Sequence, residues 1–230
     1  MRIELQPAFL LHSRNYRDTS VIADLWTPEY GRLSVLAKGA RRRKGGKKHL
    51  LVPFTPLLIS CRGKGELKTL THIELAAKSV SLQQTMLFSG FYLNELLLRL
   101  LPIADPHALL FSRYGEIIES LQQDIELEPC LRQFEWFLLQ QLGYELNFSM
   151  DALLQQPVIA SQHYQLDVNR GFVACGEGGY QGANLLAIAA ADYSLATTRQ
   201  VAKQVARQAL QALLGSKPLN SREMYRQMHV

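Results

Sequence analysis

The chain has 230 residues, 47% of them hydrophobic, 20% charged and 9% aromatic, which excludes wholesale disorder and a fibrous repeat. The net charge of +5 is unevenly spread: residues 1–80 hold 15 Lys and Arg against 6 Asp and Glu (net +9), and residues 81–230 hold 10 against 14 (net −4). At ~100–200 residues per domain, that asymmetry predicts two domains, 1–80 and 81–230, and an anionic partner for the first.

The first eighty residues read as short strands separated by turns. Ala8–Ser13, Ser20–Trp26 and Leu33–Lys38 are rich in apolar and β-favouring residues, with turn composition at 15–18 and 27–31. Pro56–Ser60 and Glu66–Glu74 add two more strands, joined by the hairpin-type turn Arg62-Gly63-Lys64-Gly65. In the last strand Leu67, Thr69, Thr71 and Ile73 are expected on one face. Five strands in about seventy residues leave no room for crossover helices, so they are mostly antiparallel and need closure to protect their edges. The pattern predicts a small five-stranded barrel, of oligonucleotide-binding (OB) or SH3-like type.

From about residue 81 the period becomes helical. Thr85–Leu101 is apolar nearly all round, as a central helix should be. Asp105 and Pro106 are placed to cap and open a second helix over 107–123. Glu128-Pro129 opens a third, in which Leu131, Phe134, Leu138 and Leu142 recur at helical spacing before Gly143. Leu195–Leu214 is a fourth, stopped by Gly215, and Ser221–Met228 a short fifth. Between them, residues 144–183 read as a small irregular insertion, with a hairpin over 164–174 and glycines at 176, 178, 179 and 182. The predicted fold class is therefore α+β multidomain, a barrel followed by an α-helical domain with an insertion.

No apolar run spans a bilayer, since Ser89, Gly90, Asn94, Glu95 and Arg99 interrupt the longest one, and the N-terminus lacks a signal-peptide pattern. Cys61, Cys130 and Cys175 are too few and too scattered for a disulfide framework. The expected location is the cytoplasm.

The strongest chemical feature is the segment from Lys38 to Lys48. Seven of its eleven residues (Lys38, Arg41, Arg42, Arg43, Lys44, Lys47 and Lys48) are basic, and three are glycine. Between the third and fourth strands it makes a long flexible cationic loop that can follow a phosphate backbone without reading bases. Arg14, Arg17, Arg32, Arg62, Lys64 and Lys68 share its sign on the same barrel. Phe9, Trp26 and Phe54 are expected to fill the barrel core, which leaves Tyr16 and Tyr30, in turns, as stacking candidates. On the fourth helix Arg199, Lys203 and Arg207 stand at i, i+4 and i+8, either a solvated face or a continuation of the anion-binding surface.

Enzyme signatures are scarce. Neither a Walker-type phosphate loop, His-Glu-x-x-His nor Gly-x-Ser-x-Gly occurs. The six histidines (12, 49, 72, 107, 163 and 229) are dispersed, and the acidic group Asp124, Glu126 and Glu128 sits at a helix junction. A structural zinc site wants four Cys or His ligands; Cys175 with a distant His163 supplies too few, so no metal and no cofactor are expected.

Several segments together resemble the RecO family of bacterial DNA-repair proteins. They are Tyr16-Arg17-Asp18-Thr19-Ser20, Tyr30-Gly31-Arg32-Leu33-Ser34-Val35-Leu36-Ala37-Lys38-Gly39-Ala40-Arg41 and Pro53-Phe54-Thr55-Pro56-Leu57-Leu58 near the N-terminus, followed by the run from Gly63 to Leu70. Tyr92-Leu93-Asn94-Glu95-Leu96-Leu97 and the run from Leu214 to Glu223 extend the likeness over the whole chain. The resemblance implies an OB barrel followed by a helical domain. It also implies a non-enzymatic recombination mediator that binds single- and double-stranded DNA and anneals complementary strands. With RecR, such a protein helps load RecA onto DNA coated by single-stranded-DNA-binding protein. Many members hold zinc through four cysteines in the insertion; this chain keeps only Cys175 there and resembles a zinc-free branch. The resemblance further implies that the helical domain docks the acidic, apolar C-terminal tail of single-stranded-DNA-binding protein, on Leu131, Arg132 and Phe134. On a helix whose apolar face is Leu131, Phe134 and Leu138, Arg132 projects from the side, and its alternative is an intrahelical pair with Glu135 or Glu128. An RNA-binding barrel is the other functional class, since a phosphate-tracking loop cannot itself detect a 2′-hydroxyl. A nuclease is disfavoured by the lack of clustered acidic ligands.

Overall fold

In the computed structural model, which describes residues 1–123 and 126–228, the first third of the chain is five strands: β1 (Arg2–Tyr16), β2 (Ser20–Thr27), β3 (Gly31–Ala37), β4 (Leu57–Arg62) and β5 (Leu67–Leu75). Asp124 and His229, both considered above, lie outside the described residues. Six helices follow among the described residues: α1 (Gln84–Leu100), α2 (Ala108–Ser120), α3 (Leu127–Gln141), α4 (Gly182–Ala189), α5 (Ala196–Leu214) and α6 (Asn220–Met228). A three-stranded sheet of β6 (His163–Asp167), β7 (Gly171–Cys175) and β8 (Tyr180–Gln181) lies between α3 and α4 in the chain. Two compact units result, residues 1–125 with 218–230, and residues 126–217. None of the described helices is long and apolar enough to cross a membrane.

In the first unit the strands close in the order β1-β2-β3-β5-β4. The long β1 pairs with β4 through its first half and with β2 through its second, and β3 runs parallel to β5. This is the OB barrel, which decides between the two barrel types that the pattern left open. Alternation drives the closure: Leu33, Val35 and Ala37 of β3 face inward to meet Leu10, Val21, Ala23, Leu25, Leu57 and Ile59 in one apolar core.

Three expectations change here. β1 begins six residues earlier than the apolar run, carried past Leu5 by an irregularity between Ile3 and Gln6. β5 does not keep one face, because Ser60 pairs with His72 but Cys61 with Leu70, so Thr71 is an extra residue, a β-bulge. Leu70 and Ile73 therefore both pack on the core, and Leu67 is exposed. Phe9 and Trp26 are buried on the outer side of the barrel rather than within it, edge-on or tilted against Phe111 and Tyr114 of α2 at 4.9–5.8 Å. Phe54 packs edge-on against Phe91 of α1.

One polar network joins these helices to the barrel. The Asn94 amide of α1 donates to the Leu10 and Leu11 carbonyls at 3.3 and 3.1 Å, while its oxygen accepts from the Tyr114 hydroxyl at 2.5 Å. Burial pushes the Tyr114 hydroxyl pKa far up, so it stays a neutral donor. The Asp105 cap is not formed. Residues 103–104 bond instead to Arg32 along the barrel, which delays the start of α2 to Ala108, and the Asp105 carboxylate meets His107 Nε2 at 3.2 Å. The C-terminal α6 returns to this unit, where Glu95 of α1 accepts from the Asn220 and Ser221 amides at 2.9 Å and so caps it.

In the second unit α5 packs on both α3 and α4. Phe172 of β7 stacks tilted on Phe148, which lies edge-on to Trp136 of α3. Asp151 pins the turn at 151–155 to the sheet, accepting from the Leu153, Leu154 and Ala174 amides at 2.8 Å. Those amides, Leu154 first, hold its carboxyl below the usual range. The helix α4 starts at the end of the 144–183 stretch read as irregular and continues through residues for which no element is predicted. His163 and Cys175, distant in sequence, are direct cross-strand partners in the hairpin.

Candidate nucleic-acid interface

The segment 38–48 is tied down at both ends. Ala40 is buried in the barrel rim, the Arg41 amide donates to the Thr19 carbonyl at 2.8 Å, and the Lys48 amide donates to Ala40 at 2.9 Å. Gly39 and Gly45 turn the chain at φ +67° and +72°, and a Cβ at Gly46 would lie 2.3 Å from the Arg42 carbonyl oxygen. The loop expected to be flexible is thus a series of hydrogen-bonded turns, and its seven cations (Lys38, Arg41, Arg42, Arg43, Lys44, Lys47 and Lys48) are all exposed. Among the described residues none of the seven is ion-paired.

The bond from Arg41 to Thr19, and a second from its guanidinium to the Arg17 carbonyl at 3.3 Å, fasten the loop to the β1–β2 turn. Arg17 there adopts a left-handed φ of +49° and lays its guanidinium over the Tyr16 ring, 5.2 Å from the centroid. Arg14 is exposed two residues before Tyr16. Arg14, Arg17 and the seven loop cations therefore form one basic rim on the barrel, a surface suited to sequence-independent phosphate contacts.

Other cations are placed differently. Lys64 is exposed on the β4–β5 turn, where Lys68 donates to the Gly65 carbonyl at 3.2 Å, so these two and Arg62 make a separate group. Arg32 is half-buried and donates to the Leu98 carbonyl of α1, and burial lowers its pKa. It serves the barrel–helix junction rather than the rim. On α5, Arg199 donates to the Tyr193 and Ser194 carbonyls at 2.6 and 2.8 Å, the exposed Lys203 pairs with Glu128 at 2.8 Å, and Arg207 is exposed as well. The Lys203 bond holds the Glu128 carboxyl below the usual range. Tyr30 packs partly on the barrel core, and its amide donates to Thr27 Oγ1 at 3.1 Å.

The outer face of β2, part of the usual OB ligand platform, lies under α2, with Trp26 wholly buried. Around the basic rim, however, a surface pocket of about 140 Å³ opens between the loop (Lys38, Ala40, Gly45, Lys47) and the β5 bulge (Leu70, Thr71, His72). Sequence reasoning missed it, because it needs both the bulge and the turn at 37–40.

In the second unit Arg132 does not project from the side of α3. It is buried and bonds to the fully buried Glu135 at 2.8 Å, one of the two intrahelical pairs that the spacing allowed. Phe134 and Leu138 are core residues, and Leu131 is half-buried. Both members of the pair act on Tyr193, whose hydroxyl accepts from Trp136 Nε1 at 3.1 Å; burial pushes its pKa up. A zinc site does not fit these residues. The Cys175 thiol contacts the Gly178 carbonyl at 3.6 Å, and with His163 opposite it the hairpin offers two donors where four are needed.

Comparison with known proteins agrees with this architecture. The model of the family described as "Recombination protein O N terminal" matches residues 1–78, and that described as "Recombination protein O C terminal" matches residues 83–223. A protein of Cellvibrio japonicus named DNA repair protein RecO is 49% identical over 230 residues, covering 98% of both chains. Proteins of the same name from Haemophilus influenzae and Actinobacillus succinogenes are 46% and 44% identical, covering 99% and 98% of this chain and 98% and 97% of their own. The chain belongs to the RecO family.

Proposed function

We propose that this chain is a DNA-binding recombination mediator of DNA repair that works without catalysing a chemical step. One observation carries the reading: the exposed cations at 38–48, in a loop fastened to the β1–β2 turn through Arg41, form a single basic rim on an OB barrel. Such a rim holds phosphates of single- and double-stranded DNA alike. By neutralising two strands it lowers their mutual repulsion and raises their encounter rate, which is what annealing requires. Residues 1–80 serve as the nucleic-acid-binding domain and residues 81–230 as the partner-binding domain. The partners are RecR and the C-terminal tail of single-stranded-DNA-binding protein; for Arg132 to meet the tail carboxylate, its guanidinium must turn outward from its buried pair with Glu135. Together they bring RecA onto coated DNA, in the cytoplasm at the nucleoid.

The test is a salt titration of DNA binding by the wild type and by a variant with Arg41, Arg42, Arg43 and Lys44 all changed to Ala. Binding to every sequence should weaken about equally, and the log–log salt slope should shrink by roughly 0.7–0.9 per lost contact. An unchanged slope would place the DNA elsewhere.

A further inference from the structure

We infer that the pocket between the basic loop and the β5 bulge seats one unpaired pyrimidine base of single-stranded DNA. This deepens the DNA-binding reading and rests on it. The pocket's floor exists because Thr71 is an extra residue in β5, and bulges recur beside binding sites because they re-aim side chains. Its size selects the occupant: 140 Å³ is close to the cavity of about 150 Å³ that admits a benzene ring, so one six-membered ring fits. Its chemistry selects a base over a phosphate. Leu70 and Ala40 give it apolar surface and His72 a stacking plane, while the Glu74 carboxylate, outside the lining but 3.3 Å from His72 Nε2, adds a negative charge that disfavours an anion. Lys38 and Lys47 line the pocket and are exposed, so they can hold the phosphates on either side of the seated base. A paired base would have to leave its stack at a cost of a few kcal/mol, so the pocket favours single strands over duplex, a preference that the rim alone does not supply.

Fluorescence anisotropy on the full chain tests this with two oligomers of equal length and charge, one of thymidine and one of abasic tetrahydrofuran nucleotides. The wild type should bind the thymidine oligomer roughly five- to a hundredfold more tightly, the range that one stacked base supplies. Thr71→Trp, which fills the pocket from an exposed position at the cost of the Thr71 hydroxyl's bond to the Ser60 carbonyl, should bring thymidine binding down to the abasic level while leaving abasic binding and the salt slope unchanged in a protein that still folds. Photocrosslinking of 4-thiothymidine to the wild type should mark residues 38–47 or 70–73. A wild type that binds both oligomers alike, with a salt slope dependent on the loop, overturns the pocket and spares the rim; one that binds neither overturns the DNA reading itself. Full thymidine affinity in Thr71→Trp, or crosslinks confined elsewhere, also overturns the inference.

Discussion

Replacing Arg132 with Ala should destabilise the second unit severely, and the structure sets the magnitude. The Arg132 side chain is 9% exposed, Glu135 is fully buried, and their bond is 2.8 Å long. Removing one partner of a buried pair takes this counterion from the other charge, which costs about 3–5 kcal/mol. Replacing both with apolar residues of similar volume, Arg132→Met with Glu135→Leu, removes both desolvation penalties and should come out neutral or stabilising by about 1–4 kcal/mol. Urea unfolding of the wild type, the single variant and the double variant measures both effects. A single variant within 1 kcal/mol of the wild type, or a double variant as unstable as the single one, would refute the buried-pair account. The folded double variant also separates packing from recognition. If the Arg132 guanidinium meets the tail carboxylate, the double variant should bind a tail peptide about tenfold or more weakly, the value of a charge-assisted hydrogen bond of ~1.5–3 kcal/mol. Equal peptide affinities would confine Arg132 to its pair with Glu135.

Two further outcomes follow from buried polar groups. Asn94→Ala removes the bonds that join α1 to the Leu10 and Leu11 carbonyls and to Tyr114, and should lower unfolding free energy by about 2–3 kcal/mol; a loss under ~0.5 kcal/mol in urea titration would contradict that account. Asp151 has a folded-state pKa below its unfolded value of about 3.9, so its stabilising effect is complete above that pH and fades as pH falls through the folded value. The gap in melting temperature between wild type and Asp151→Asn should therefore be widest near pH 7 and shrink toward pH 3, and a constant gap would count against the three amide bonds as its cause.

Much of this was legible in the sequence wherever local pattern decides the outcome. Runs of apolar and β-favouring residues between turn signals located the strands β2 to β4, an all-round apolar run and proline punctuation located α1 and α2, helical spacing located α3 and α5, and Gly143 and Gly215 marked helix ends. The basic rim was legible because a run of seven cations cannot be buried. Tertiary partners were not. Arg32 and Arg199 look like phosphate ligands by charge, yet the carbonyls of Leu98, Tyr193 and Ser194 occupy them. Phe9 and Trp26 look like barrel core by hydrophobicity, yet they point outward, because α2 supplies the second apolar layer that a sheet face requires. The short α4 and the Thr71 bulge carry too little periodicity to register.

The outward aromatics bear on how an OB barrel could serve annealing. A barrel that stacks successive bases on exposed aromatic rings holds each by ~1–3 kcal/mol and so competes with the pairing that annealing must produce. Here Phe9 of β1 and Trp26 of β2 are covered by Phe111 and Tyr114, which removes that part of the platform. The exposed grip is a set of guanidinium and ammonium groups beside a pocket that fits one ring. Phosphates held this way leave base edges facing outward, and one seated base can be released at little cost when a complement arrives. The salt dependence of annealing should then parallel that of binding, since both draw on the same counterion release. Annealing that persisted at a salt concentration abolishing binding would separate the two and refute this account.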